Sequence, residues 1–392
     1  MNPAGLCEIS CKFKSFDSKF LRLFTYSFRK FATKSKLIPS LDGVNEETNP
    51  KKHPGIMALK SIEVPNKLLL AITNVFKDQP ISVLSKNAEL LRNYLHSRKP
   101  PLESGQLRQL IGETGKLVEQ EDGIDLTTLT DEEKAHLSKI RKSKVKKIVN
   151  QKVYNWSSIR YDDQSSRTYL LARSAAEFAV LFKVFSEIKL MYPNFSPKTL
   201  FDFGSGIGTV SWAAWNSWKT LKEYFCVDSS KEMLDLADLI LRNGNLMNDH
   251  IINGVYFRQF LPSSQTLKYD LTVSAYSMMD LPSSKNRFET LLNLWNKSSG
   301  FLILIENGTK AGFEMINEAR DFILEISRND DAGAHVVSPC PHNFACPKIG
   351  LRKPCTFPVK YYTLPIGGER VARNEIFSYV VLKKGCHAAG EP

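Results

Sequence analysis

The chain has 392 residues, 42% of them apolar and 24% charged, with a formal net charge of +12. That length supports two or three domains with a sizeable core, and no apolar run approaches the roughly 18 residues that a membrane-spanning helix needs. Seven cysteines are too few for a disulfide-dense secreted domain, so the questions are where the charge sits and what the clustered thiols do.

The charge is uneven along the chain. Residues 1–40 carry +6, 41–137 carry −3, 138–160 carry +8, 161–347 carry −4 and 348–392 carry +5. In residues 1–40, Phe13, Phe16, Phe20, Phe24, Phe28 and Phe31 recur at spacings of three and four, which places them on one helical face. Lys12, Lys19, Arg22, Arg29 and Lys30 supply the cationic remainder. This is the composition of a mitochondrial transit peptide; Glu8 and Asp17 favour the alternative of an amphipathic surface helix.

Pro39, Pro50, Pro54 and Pro65 predict a loose linker over residues 40–66. Helical patterning follows to residue 137, interrupted at Pro100 and Pro101. Thr130, with Glu133 three residues on, predicts a capped helix start. That helix runs into Lys139, Arg141, Lys142, Lys144, Lys146, Lys147 and Lys152, followed by Tyr154 and Trp156. Cations that track phosphates beside rings that stack on bases suit RNA; a solvated helix face is the other reading. Residues 41–160 are therefore expected to form a helical N-terminal region with a basic, RNA-contacting segment.

Over 161–335 the pattern predicts a long helix, Ser165–Tyr192, and then strands alternating with helices: a doubly wound, mostly parallel sheet. The first strand runs into Asp202, Gly204, Gly206 and Gly208. A dinucleotide site would want a glycine at position 209, where Thr209 stands. The D-x-G-x-G-x-G run, with Asp228 ending the next strand to accept ribose hydroxyls and Asp280 after the fourth strand toward the adenine, fits S-adenosylmethionine instead. The fold class is thus α/β, a Rossmann-like class I S-adenosylmethionine-dependent methyltransferase fold. The helices Val210–Leu221 and Ala311–Ile326 and the strands Gly254–Phe257, Tyr269–Ser274, Phe301–Ile305 and Ile376–Leu382 complete the expected core and its last strand.

Catalytic equipment is sparse. An amine-methylating site wants an N-P-P-Y-type turn where the chain reads Ser274-Ala275-Tyr276-Ser277, a cytosine-C5 enzyme wants a thiol there, and no set for 2′-oxygen transfer stands out. Tyr276, Asp280 and Glu306 remain open as catalytic groups of another kind. Two function classes follow: a binding factor that has a methyltransferase fold, or an active S-adenosylmethionine-dependent RNA methyltransferase.

Residues 336–392 hold Cys340, Cys346 and Cys355 at C-x5-C-x8-C spacing in a proline-rich loop, with Cys386 later. Three clustered thiols with wide gaps suit an iron–sulfur centre better than zinc, with Cys386 or His342 to complete four ligands. Cys226 reads as strand packing.

Taken together, the long helix, Leu200-Phe201-Asp202-Phe203-Gly204-Ser205-Gly206, Ile303-Leu304-Ile305-Glu306-Asn307-Gly308-Thr309 and Ser338-Pro339-Cys340-Pro341-His342 resemble the Rsm22 family over roughly residues 60–385. The resemblance implies a mitochondrial matrix factor that docks as a monomer on the maturing small ribosomal subunit, contacts its rRNA and proteins, and supports mitochondrial translation. It also implies a 4Fe–4S cluster on Cys340, Cys346, Cys355 and a fourth thiolate, here Cys386, an S-adenosylmethionine pocket, and doubtful or lost methyl transfer.

Overall fold

The computed structural model describes residues 57–385 apart from 58, 125–126, 128, 154–157, 263–265 and 329–332. The expected transit peptide, most of the linker, Tyr154, Trp156 and Cys386 lie outside the described residues.

The order is α1 (Asn66–Val75), α2 (Ile81–Ser97), α3 (Ser104–Asp122), α4 (Asp131–Lys152), α5 (Asp163–Met191), β1 (Thr199–Phe203), α6 (Thr209–Ser217), β2 (Glu223–Val227), α7 (Lys231–Leu241), β3 (Val255–Arg258) and β4 (Tyr269–Ala275). A 3-10 turn (Met278–Asp280) follows, then α8 (Ser284–Lys297), β5 (Ser298–Asn307), α9 (Lys310–Ile326), β6 (Ala334–Ser338), β7 (Phe357–Tyr362) and β8 (Ala372–Lys384). One sheet runs β3-β2-β1-β4-β5-β8-β6, with β7 also on β8. The first five strands are parallel, and β8 enters antiparallel beside β5. Reversal of strand order between β1 and β4 leaves a crevice at the carboxyl ends of these strands, where doubly wound sheets take ligands.

Helix α5 is buried nearly all round, including Ala176, Phe178, Val180, Leu181, Phe185 and Ile188, as befits a helix sandwiched between layers rather than lying on a surface. Asp162 starts it by accepting the Ser165 N–H at 2.7 Å. Leu68, Ile72 and Val75 of α1 and Leu84 of α2 join the same apolar cluster as α5 and the sheet, so these helices are part of the core. Ile62 bridges Tyr361 and ties the start of the described chain to the β7 edge. By contrast, α3 and α4 pack mainly on each other and bury only Thr114, Val118 and Val149.

Several sequence expectations shift by a few residues. The helix expected to reach Leu221 stops at Ser217, because Trp218 leaves helical geometry and packs its ring on Phe185 and Phe195. The last strand is longer than expected, starting at Ala372. Strands β6 and β7, which sequence patterning did not separate from the cysteine loop, pair with β8, so residues 336–385 continue the core's sheet.

Candidate cofactor pocket and cysteine cavity

A cavity of about 600 Å³ opens at the carboxyl ends of β1, β2 and β4, lined among others by Gly204, Gly206, Asp228, Tyr276, Asp280 and Arg98. Its glycine loop is held by main-chain bonds: the Gly204 and Ser205 N–H groups donate to the Val227 carbonyl at 2.7 and 3.0 Å. Gly204 has φ +70°, and a Cβ there would stand 2.3 Å from Ser277 Oγ; only glycine fits such a left-handed, crowded position. Asp228 accepts the Gly206 N–H at 2.8 Å on one carboxylate oxygen and the Ser230 N–H at 2.9 Å on the other. Each oxygen keeps a second lone pair for a ligand hydroxyl. Ser230 in turn caps α7 by accepting the Met233 N–H.

Two residues expected to bind cofactor are not on the cavity lining itself. Gly208 is the left-handed N-cap residue of α6 and is absent from the cavity lining; it turns the chain into the helix. Asp202 is fully buried behind the loop, and among the described residues neither of its oxygens has a hydrogen-bond partner. Burial, with Asp228 adding to it, pushes its carboxyl well above the usual range. Such an orphaned group needs a partner, and a cofactor's ammonium, directly or through water, would supply one.

Part of the cavity wall carries paired charges. Asp280, on the 3-10 turn, forms a 2.7 Å ion pair with Arg98, which is almost wholly buried at the end of α2. Tyr276 holds a left-handed backbone (φ +59°), a strain of about 1–3 kcal/mol, and its ring lies 4.9 Å from the Arg173 guanidinium. Arg173 donates to Glu177 at 3.2 Å and to Glu375 on β8 at 2.8 Å, and Tyr169 also donates to Glu177. Burial outweighs Arg173 at Glu177 and raises its carboxyl. Behind them Glu306 accepts the Met278 and Met279 N–H groups at 3.0 and 3.3 Å, and burial pushes it up to about 7. Arg98, Arg173 and Glu375 escaped sequence reasoning. Arg173, set among Leu170, Ala176 and Phe178 in the apolar part of the long helix, carried its own signal; Arg98 gave none.

Cys340, Cys346 and Cys355 line one smaller cavity of about 60 Å³ with His342, Arg320 and Tyr379. Among the described residues, no three His, Cys, Asp or Glu side chains are grouped to hold a metal ion. The expected metal loop is therefore seen as a shared thiol cavity, not as an assembled site. Its walls are braced: Arg320 Nη2 donates to the His342 and Phe344 carbonyls at 2.9 and 2.5 Å, and Ser378 Oγ donates to the Cys355 carbonyl at 2.8 Å. Cys226 is buried in β2 beside Ser211, as packing requires.

The basic stretch divides in two. Arg141 forms a bidentate pair with Asp122 at 2.7 Å and Lys144 reaches Glu121 at 2.9 Å, so these two cations fasten α4 to α3. The compensating acids missing from the local sequence come from the neighbouring helix. Lys139, Lys142 and Lys146 recur at helical spacing on the opposite, exposed face with Lys147 beside them; Lys152 lies at the helix end.

Comparison with known proteins supplies the wider context. The chain is similar to the ribosome assembly protein METTL17, mitochondrial, of Homo sapiens, with 35% identity covering 89% of this chain and 75% of that one. It is also similar to the Rsm22-cox11 tandem protein 2, mitochondrial, of Schizosaccharomyces pombe, with 27% identity over 64% of this chain and 38% of that one. Among solved structures it resembles the plantazolicin methyltransferase BpumL in complex with SAH at 13% identity, covering 56% of this chain and 89% of that one, TM-score 0.36. It also resembles a putative RNA methyltransferase, PH1948, of Pyrococcus horikoshii at 15% identity, covering 53% of this chain and 84% of that one, TM-score 0.31. Likenesses that distant add nothing to what the strand order and glycine loop already say about the fold. The model of the mitochondrial small ribosomal subunit Rsm22 family, however, matches residues 163–390, from α5 through the cysteine loop and β8. Together with the human relative, that match establishes that the chain belongs to the Rsm22 family.

Proposed function

We propose that this mitochondrial chain supports assembly of the small ribosomal subunit, and hence mitochondrial translation, by binding rRNA rather than by modifying it. In this reading the glycine-loop cavity takes S-adenosylmethionine, with Gly204 and Gly206 giving close backbone approach, Asp228 at the ribose and Asp280 on the adenine side. Asp202 supports the amino-acid end from behind. The observation that carries the non-catalytic part is that the cavity's arginines are already engaged: Arg173 is spent on Glu177, Glu375 and the Tyr276 ring, and Arg98 holds Asp280 on the adenine side. The acceptor is placed in this reading against Tyr276 and Arg173, where methyl transfer would need a free base and a clear path to the sulfonium.

The thiol cavity is read as the seat of a 4Fe–4S cluster. Three thiols around one cavity are the donor chemistry such a cluster takes, and Cys386 is the proposed fourth ligand. When bound, the cluster would cross-link the loop to the β8 side of the core. The exposed face of α4, with Lys139, Lys142, Lys146 and Lys147, is the rRNA contact, by charge.

The test compares the unaltered chain with Gly206→Arg, which fills the cavity mouth. Expected: S-adenosylhomocysteine binding falls more than 100-fold by calorimetry, while small-subunit maturation proceeds in cells carrying the variant. Loss of maturation together with a specific rRNA mark, and rebuilding of that mark in vitro by purified protein, would overturn the binding-factor reading in favour of a methyltransferase. Anaerobically purified protein without iron, sulfide or visible absorbance would remove the cluster.

A further inference from the structure

Between Asp331 and Glu369 the chain has no acidic residue. This stretch contains the thiol loop and, just beyond Cys346, Lys348, Arg352 and Lys353. All three are exposed, and among the described residues none of them forms an ion pair. In the same loop Phe344 leaves 75% of its surface in water, with Ile349 at 51% and Leu351 at 52%.

These apolar side chains are not exposed for want of order around them. The Phe344 carbonyl accepts from Arg320 Nη2, and its N–H donates to His342 Nδ1 at 3.2 Å. Next to it, the Asn343 side chain accepts the Val336 N–H at 3.1 Å and donates to the Ala334 carbonyl at 3.2 Å. Turns with Ile349 N–H on the Cys346 carbonyl and Leu351 N–H on the Lys348 carbonyl carry the rest. A backbone fastened at both sides of an outward aromatic ring is a stacking platform whose ordering cost is met on folding, before any partner arrives.

From these features we infer that the Phe344–Lys353 loop is a second nucleic-acid contact, separate from α4, that receives a single-stranded stretch of RNA. A splayed base stacks on Phe344, and successive phosphates lie along Lys348, Arg352 and Lys353. Aromatic stacking with interleaved cations is how unpaired strands are held. Exposed cations with no ion pair among the described residues, beside an outward ring, favour a polyanion with bases over a protein partner. The inference rests on the rRNA-binding reading above and adds where a looped-out or end segment is gripped.

The experiment uses the full chain and fluorescence anisotropy with a mixed-sequence single-stranded RNA, a duplex RNA of equal charge and inorganic polyphosphate. Phe344→Ala is expected to weaken single-strand binding about five- to 150-fold, with little change for polyphosphate, which has no bases; Phe344→Trp restores it. Changing Lys348, Arg352 and Lys353 together to Ala is expected to lower the salt dependence of single-strand affinity by about two in log–log slope. Unfolding midpoints stay as in the unaltered chain, since every changed side chain is exposed. In a parallel arm Lys139, Lys142, Lys146 and Lys147 are changed to Ala. If that variant loses RNA while the loop variants bind normally, the loop inference is overturned and the rRNA reading stands. Equal losses on RNA and polyphosphate for Phe344→Ala, or loss of a ribosomal-protein contact with RNA affinity intact, overturn it too. If the unaltered chain binds no RNA, both readings fall.

Discussion

The glycine-loop cavity is framed by strand ends and by a loop bonded through its own main chain to β2, whereas the cysteine cavity is closed by a loop that reaches the core through a few side chains, chiefly Arg320 and Asn343. The first has its shape before any ligand enters. Moving its loop means breaking main-chain bonds inside a close-packed sheet. The second owes its shape to individual side-chain bonds, which single substitutions can remove one at a time. β8 lines the second directly and is tied to the first through Arg173: it carries Glu375 toward Arg173 and Ser378 toward the Cys355 carbonyl.

The strongest way to break this contrast is to cut the tie between α5 and that strand. Arg173→Met removes the only cation paired to Glu177 and Glu375 among the described residues and leaves two carboxylates buried. Losing one partner of a buried ion pair costs about 3–5 kcal/mol, so the urea midpoint is expected to fall sharply and both cavities to loosen together. A loss below about 1 kcal/mol would mean the carboxylates find other partners and the strand does not couple the two sites.

A smaller, pH-dependent effect belongs to the first cavity alone. Burial, with Asp280 adding to it, pushes Glu306 from 4.5 up to about 7. The folded chain therefore keeps a proton that the unfolded chain has already released. Stability declines as pH rises from about 4.5 to about 7, and the deficit persists above that. Glu306→Gln keeps an oxygen for the Met278 and Met279 N–H groups and removes the titration. At pH 8 the variant is expected to gain up to about 3 kcal/mol, at roughly 1.4 kcal/mol per pH unit, and to show a flatter profile of urea midpoint between pH 5 and 8. An unchanged slope would shift the pH response to other groups.

The smallest effect sharpens the comparison from the other side. Arg320→Gln forfeits the bonds to the His342 and Phe344 carbonyls, a change of about 2 kcal/mol or less confined to the loop. Alkylation of Cys340 and Cys346 by iodoacetamide should speed up in the metal-free chain, while S-adenosylhomocysteine binding stays as it was. If binding at the glycine loop falls as well, the two cavities are not independent.

Much of the framework was legible in the sequence. The capped start at Thr130 appears as a reciprocal box with Glu133, and the long apolar helix spans Asp163–Met191 against an expected Ser165–Tyr192. Each expected core strand is present within a few residues, because local periodicity and chain breakers carry that information. What failed to show was of a different kind. Strands β6 and β7 are short and embedded in proline- and cysteine-rich sequence, so only pairing with β8 reveals them. The basic stretch read as uncompensated because Asp122 and Glu121 stand on the preceding helix, about one turn-and-return away in sequence and directly opposite in space.

The sequence by itself determined the αβ alternation, the glycine loop with its two acids, and the grouping of three cysteines, since each depends on residues adjacent or periodic along the chain. Only the tertiary structure decided which of these residues face a cavity. It set Gly204, Gly206, Asp228 and Asp280 on the lining, left Asp202 and Gly208 off it, and brought Arg98 and Arg173 to it from distant helices. Burial and charge pairing are properties of neighbours in space, and the neighbours that matter here lie up to 202 positions apart in the chain.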